Sequence, residues 1–422
     1  MVTGYRDPFV SGWPSMDTAR TSTAPGSSSK GVSTLYGLLS GGIKTEGPQT
    51  FLYSVDPSDV KSWTFIGPLI AGQLADQEPS GRWGGNLGWN WECTSFATVR
   101  TDDNRYQREL VMPSSEGCTE SAQSKAYRDL HPEHPSRTSR CANWFFGTIH
   151  PAEHPTISVD TLGLLDWGIL YACTVFTDPN GRLIMWGWAG EEDVPSDFLK
   201  ERGWTGCLGL PREIFLFSLE GVTGTVASAL LDVKNIQLLD QPDGTSHVLT
   251  LGIRPLTDIR QLRAEKLYCI NKDCDLVASE GLTILKQSPP AIEIVLDVSL
   301  PSDTKIVLSV KADYSLGLQT DIVYDTHTET ICVQRDRSTS EEGFNVIDDI
   351  GSHTLFRTSS GLEPLQLRIF IDQDLIEIFA NERFALTTRT YSPSSASGIS
   401  LLATGKAVVN RLEIWELGDI GL

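Results

Sequence analysis

Apolar and β-branched residues come in short runs along this chain, each closed by Gly, Pro, Asp or Asn, and the runs recur at a spacing of roughly ten to fifteen residues. That rhythm predicts an all-β protein. From Leu35 the chain reads as a strand in LYGLLS, a Gly-rich turn, a strand in FLYSV, a turn on Asp56-Pro57-Ser58-Asp59 and a strand in WTFIG. Such an up-and-down meander is the unit of a propeller blade. Similar meanders are expected over residues 96–113, 144–159 and 169–188. In the second half, LQLRIFID, LIEIFANE and FALTTRTY alternate apolar with polar positions, as the facing sheets of a sandwich require. The Gly/Thr/Ser-rich LEGVTGTVAS interrupts the rhythm between the halves. Two all-β domains are therefore expected, over residues 1–215 and 225–422, with the low-complexity segment 19–31 as a mobile loop.

A length of 422 residues suits two or three domains, and 40% hydrophobic residues suffice for sizeable cores. The charge narrows the partners: 54 Asp plus Glu against 34 Lys plus Arg give a formal net charge of −20. Phosphate backbones and anionic membranes would be repelled, so neither nucleic acid nor a membrane is an expected partner. No run approaches the roughly 18 apolar residues of a membrane-crossing helix. The N-terminal stretch carries Arg6, Asp7, Asp17 and Arg20 where a signal peptide would need an apolar core. As written, the chain is expected to be cytoplasmic; a start further upstream would make secretion the expectation. The eight Cys include no Cys-x-x-Cys pair, and no Asn-x-Ser/Thr sequon occurs, so reduced, mostly buried thiols are expected rather than a disulfide framework.

Carboxylates are the remaining source of chemistry, because there is no Gly-x-Ser-x-Gly elbow, P-loop, dinucleotide fingerprint or His-Glu-x-x-His. Asp7 in GYRDPFV and Glu92 in GWNWECTSF stand among aromatics and Gly, a setting that suits a sugar stacked in a partly dry pocket. Arg6 is placed to orient Asp7. The histidines of HPEHP at His131 to Pro135 and of HPAEHP at His150 to Pro155 are flanked by prolines, which points to extended surface loops; neither a metal nor an organic cofactor is expected. Asp178-Pro179-Asn180-Gly181 has the composition of a reverse turn, and the DRSTSEE run from Asp336 that of a solvated loop.

In order, GYRDPF, RWGGNLGWNWECTSF, LDWGILYACTVFTD, GRLIMWGWAGE and GWTGCLGLPRE resemble the motifs of glycoside hydrolase family 32. In the second half, VQRDRSTS and IDQDLIEIFANE resemble that family's sandwich motifs. The likeness covers nearly the whole chain and points most to the fungal branch. It implies a five-bladed β-propeller followed by a β-sandwich, and action on β-fructofuranosides, sucrose or fructans, by a retaining two-carboxylate mechanism in the full-length form. It also implies Glu92 as general acid/base, Asp7 as transition-state stabiliser, Arg6 as its orienting partner, and Trp83, Glu116, Asp166 and Glu191 as sugar-contacting residues. The family's nucleophile is the Asp of a W-M-N-D-P-N-G motif on the first blade, well before Arg-Asp-Pro. Here Arg6-Asp7-Pro8 stands at the start, so the first blade and its aspartate are expected to be missing, and Asp178 does not inherit the role. The alternative expectation is a catalytically inactive member that binds a sugar or another small molecule in the funnel. An unclosed propeller would expose a sheet edge, a pairing surface for a homo-oligomer.

Overall fold

The computed structural model describes residues 1–21, 34–72, 81–276 and 281–418. Strands β1 (Val2–Gly12), β2 (Leu35–Ile43), β3 (Gly47–Asp56) and β4 (Asp59–Pro68) form a four-stranded antiparallel sheet in chain order. Strands β5 (Asn90–Arg100), β6 (Gln107–Glu116), β7 (Arg140–His150) and β8 (Thr156–Asp166) form a second. Both have the meander order of a propeller blade. Aromatic residues fill the space between them: Trp13 stacks on Phe96 with centroids 4.2 Å apart, beside buried Trp91 and Phe145. Helix α1 (Pro14–Thr21) caps this region, so Ala19, expected in a mobile loop, is instead a buried helical residue; residues 22–31 of that segment lie outside the described residues.

The third sheet begins with β9 (Leu170–Thr177) and β10 (Leu183–Ala189) and continues through β11 (Cys207–Leu208), β12 (Arg212–Thr225), β13 (Gln237–Asp240) and β14 (Ser246–Pro255). This pairing moves the expected domain boundary. A division between residues 215 and 225 would cut β12, which runs unbroken from Arg212 to Thr225 and pairs with β14 over most of its length. The sandwich sheets start at Arg263, after a 3-10 turn over Thr257–Leu262. One has seven strands and the other six, and they close over a core that includes Ile294, Leu308, Ile322, Ile369, Leu401 and Leu412.

The strand Phe384–Arg389 departs from simple alternation, since all six residues are buried. Its faces go to two different cores. Phe384 and Leu386 enter the sandwich interior, whereas Ala385 joins an apolar cluster with Trp144 and Phe146 of the second blade and Leu251 of the third sheet. The backbone confirms the docking: Trp167 N–H donates to Ala385 O and Ile169 N–H to Thr387 O, both at 2.9 Å. A polar face written for solvent is thus covered by the propeller side.

His353 is buried in the sandwich near the Tyr324 and Phe384 rings, with Nε2 3.1 Å from Asn381 Oδ1. Burial, reinforced by Arg383, lowers its pKa to about 3. The folded imidazole therefore stays neutral while the unfolded one takes up a proton below about pH 6.5, so its contribution is fully present above that pH and lost as pH falls. Between pH 6.5 and 4.5 this group alone is expected to remove about 2 kcal/mol of stability. Urea midpoints of wild type and His353→Gln should converge over that range, and parallel pH profiles would contradict the assignment.

Candidate active site

Three consecutive sheets each contribute their first strand to one place: β1, β5 and β9 lie side by side. Each carries a local break in its ladder, and each break turns a polar side chain inward. On β1 the register shifts between Arg6 and Phe9 and Asp7 adopts φ 55°. The cause is in the sequence, because Pro8 has no N–H to give to the ladder. On β5 the shift falls between Glu92 and Ser95, with Cys93 at φ 48°. On β9, Ala172 sits at φ 52° beside Tyr171, facing a shift in its partner β10 between Trp186 and Trp188. Bulges of this kind re-aim side chains next to functional sites.

The breaks bring Arg6, Asp7, Glu92 and Glu116 together. Arg6 Nη1 lies 3.0 Å from Glu92 Oε1, and Nη2 lies 2.7 Å from Glu116 Oε2. Arg6 was expected to orient Asp7; it spans two glutamates instead, and Asp7 Oδ2 accepts from Cys93 N–H at 3.1 Å. Asn90 Nδ2 donates to Glu116 Oε2 at 3.0 Å and is itself held by Thr3 Oγ1 at 2.8 Å. Tyr171 O–H donates to Glu92 Oε2 at 2.8 Å. Burial, then the adjacent Glu92, push the Tyr171 phenol well up, so it remains a neutral donor. The Arg140 guanidinium lies over the Tyr171 ring, 4.9 Å from its centroid. Cys93 is not a nucleophile here, since burial and the charges of Asp7 and Glu92 push its thiol up to about 12.

Three of the expected sugar-contacting residues lie elsewhere. Asp166 is fully buried at the seam with the sandwich, where it meets Arg212 at 2.9 Å and accepts from Thr387 Oγ1 at 2.7 Å and from Gly168 N–H at 2.8 Å. A carboxylate so occupied has no lone pair left for a sugar. Glu191 is likewise buried, bound to Arg202 and accepting from Tyr391 O–H at 2.9 Å and Gly206 N–H at 3.0 Å. Trp83 is 4% exposed and covered by Arg82, 4.5 Å above its ring, which in turn bonds Glu329 of the sandwich. Asp178 occupies the β9–β10 turn, as its composition suggested, with Gly181 N–H donating to Asp178 O at 2.9 Å and Arg182 2.8 Å from its carboxylate. Asn90 and Tyr171 escaped the sequence reading although both stand inside quoted motifs, because nothing in residue type alone distinguishes a Tyr aimed at a carboxylate from one in a core.

Comparison with known proteins agrees with this architecture. Residues 30–225 match the model of the glycosyl hydrolases family 32 N-terminal domain, and residues 258–416 that of the family's C-terminal region. The chain is similar to "Acid beta-fructofuranosidase 2, vacuolar" of a Rosa hybrid cultivar, 24% identical over 60% of this chain and 41% of that protein. It is also similar to a sucrose-6-phosphate hydrolase of Zymomonas mobilis, 24% identical over 86% of this chain and 59% of that one. Such curated relatives are longer, and the chain spans about half their length. Among solved structures, a fructosyltransferase from A. japonicus superposes with a TM-score of 0.82 at 21% identity, covering 98% of this chain and 72% of the other. A β-fructofuranosidase of Aspergillus kawachii gives 0.81 at 22% identity, covering 98% and 71%. The relatives come from plants, bacteria and fungi, so the fungal branch is not singled out. With the propeller-type sheets, the sandwich and both domain models in place, the chain belongs to glycosyl hydrolase family 32.

Proposed function

We propose that this chain acts on β-fructofuranosides at the Asp7–Glu92 cluster, with Glu92 supplying a proton to the leaving oxygen and Asp7 engaging the fructosyl hydroxyls. One observation carries the reading: each Glu92 oxygen has its own partner, Arg6 on Oε1 and Tyr171 on Oε2, which fixes the carboxyl beside Asp7. Three carboxylates against one guanidinium favour a neutral sugar over a phosphorylated one. The names of the relatives, which include acid beta-fructofuranosidases and a fructan 1-exohydrolase, support sucrose or a fructan as substrate class.

A second observation supports a second reading. A retaining displacement needs a further carboxylate as nucleophile, and Asp178, from the chain's Asp-Pro-Asn-Gly, is held in a turn by Arg182. By this reading the described residues form a fructoside-binding site without the covalent step. Fructose release from sucrose and from an inulin-type oligosaccharide by the folded chain decides between them. Release supports the enzyme, saturable binding without release supports the binding protein, and the absence of both overturns the site. In an active chain, Tyr171→Phe should lower kcat about tenfold through the lost hydrogen bond to Glu92 while leaving the melting temperature close to wild type. An unchanged kcat would remove Tyr171 from the machinery.

A further inference from the structure

The segment that joins β6 to β7 carries a helix, α2 (Ala122–Leu130), started by Ser121, whose side chain accepts from Ser124 N–H. His131 ends the helix, its N–H donating to Tyr127 O at 2.9 Å, and the next turn closes with His134 N–H to His131 O at 3.1 Å. Pro132 and Pro135 stiffen this turn by fixing their φ angles. As a result the imidazoles of His131 and His134 stack, with centroids 4.7 Å apart and planes 19° from parallel. Glu133 Oε1 lies 3.4 Å from His134 Nε2 and 4.0 Å from His131 Nδ1. The ligand atoms of all three residues fall within 4.8 Å of one another. His150 and His154 do not join them.

The other nitrogen of His134 is already engaged. Nδ1 lies 2.9 Å from the Tyr127 hydroxyl oxygen, which also accepts from Val346 N–H at 3.0 Å and has Phe344 O at 3.5 Å as an acceptor for its proton. That arrangement accommodates a proton on His134 Nδ1 and frees Nε2, the state in which a metal-binding imidazole is held by a neighbouring group.

We propose that His131 Nδ1, Glu133 and His134 Nε2 form a site for one divalent transition-metal ion of the zinc class, with solvent completing its coordination. Two imidazoles and a carboxylate are donors for zinc, nickel or copper rather than for calcium or magnesium. Metal–nitrogen bonds of about 2.0–2.1 Å need donor atoms roughly 3.3 Å apart; Glu133 already lies 3.4 Å from His134, and the two rings close the remaining separation, within 4.8 Å, by rotating about their side-chain bonds. A net charge of −20 concentrates cations around the protein. Because Tyr127 links His134 to residues 344–346 of the sandwich half, a bound ion braces the second blade against the sandwich.

Calorimetric titration of the metal-free chain with zinc sulfate tests this. One equivalent should bind, with affinity falling more than about tenfold in His131→Ala and His134→Ala and about tenfold in Tyr127→Phe, where only the supporting group is changed. Zinc should raise the melting temperature of wild type but not of His134→Ala. Glu133→Gln, at an exposed position, guards against misfolding of the histidine variants and should also weaken binding. Failure to bind one saturable equivalent, or binding unchanged in folded histidine variants, overturns the proposal; the second result would assign the ion to the thiols or acidic groups elsewhere.

Discussion

Arg212→Ala is expected to destabilise the protein by about 3–5 kcal/mol, the usual cost of removing one partner from a buried ion pair. Arg212 is fully buried between the two halves of the molecule, 2.9 Å from Asp166 of the second blade's last strand and 2.9 Å from Glu377 of the sandwich. Burial outweighs the help of Arg212 and raises the Glu377 carboxyl above its ordinary value. Without the guanidinium, two carboxylates would share a dry seam with no cation, and Glu377 would retain its proton to a still higher pH. The sign follows from linkage: a carboxyl whose folded pKa is raised loses stability as pH rises through that pKa. The variant should therefore lie closest to wild type near pH 5 and furthest near pH 8. Urea unfolding at both pH values checks this, and a pH-independent deficit, or one below about 1 kcal/mol, would contradict it.

Glu92→Gln should lower fructose release by about 10²–10⁴-fold, the contribution of a positioned general acid/base, without unfolding the chain. Glutamine retains an acceptor for Tyr171 but cannot supply the leaving oxygen with a proton. It also turns an amide or a weaker acceptor toward Arg6, so substrate affinity should change far less than turnover. Parallel assays on wild type and variant, with circular dichroism as the folding check, give the ratio. A rate within tenfold of wild type would mean that the proton comes from elsewhere, and Glu116, which shares Arg6, would be the next residue to examine.

Much of this architecture follows from the residues. The strands on LYGLLS, FLYSV and WTFIG became β2, β3 and β4, and Pro8 accounts for the bulge that turns Asp7. Asp7 and Glu92 stand in the quoted motifs, and Glu116, outside them, ends the strand paired with that of Glu92, so all three carboxylates lie on well-marked strands. Asp166 and Glu191 stood in equally good motifs, yet their surroundings come from residues far along the chain: Thr387 lies 221 positions from Asp166, and Tyr391 lies 200 from Glu191. Local sequence carries no trace of such a partner. The boundary near residue 220 moves for a similar reason: the Gly-rich composition of LEGVTGTVAS suggests a linker, whereas pairing of Leu219 and Val222 with Val248 and Ser246, and of Gly224 and Thr225 with Arg357 and Phe356, keeps the segment to Thr225 in a strand. The His131–His134 turn was read as extended loop because of its prolines, whereas the preceding helix brings both rings face to face.

By the proposed function, the Asp7–Glu92 cluster is where a β-fructofuranosyl unit sits. Crystals of the slow Glu92→Gln chain soaked with a short inulin-type oligosaccharide test it most directly, whichever reading of turnover holds. The terminal fructosyl ring should lie against Asp7, with its glycosidic oxygen within hydrogen-bonding reach of residue 92 and no occupancy at Asp166 or Glu191. Sugar bound elsewhere, or a cluster left empty while titration shows saturable binding, would contradict it.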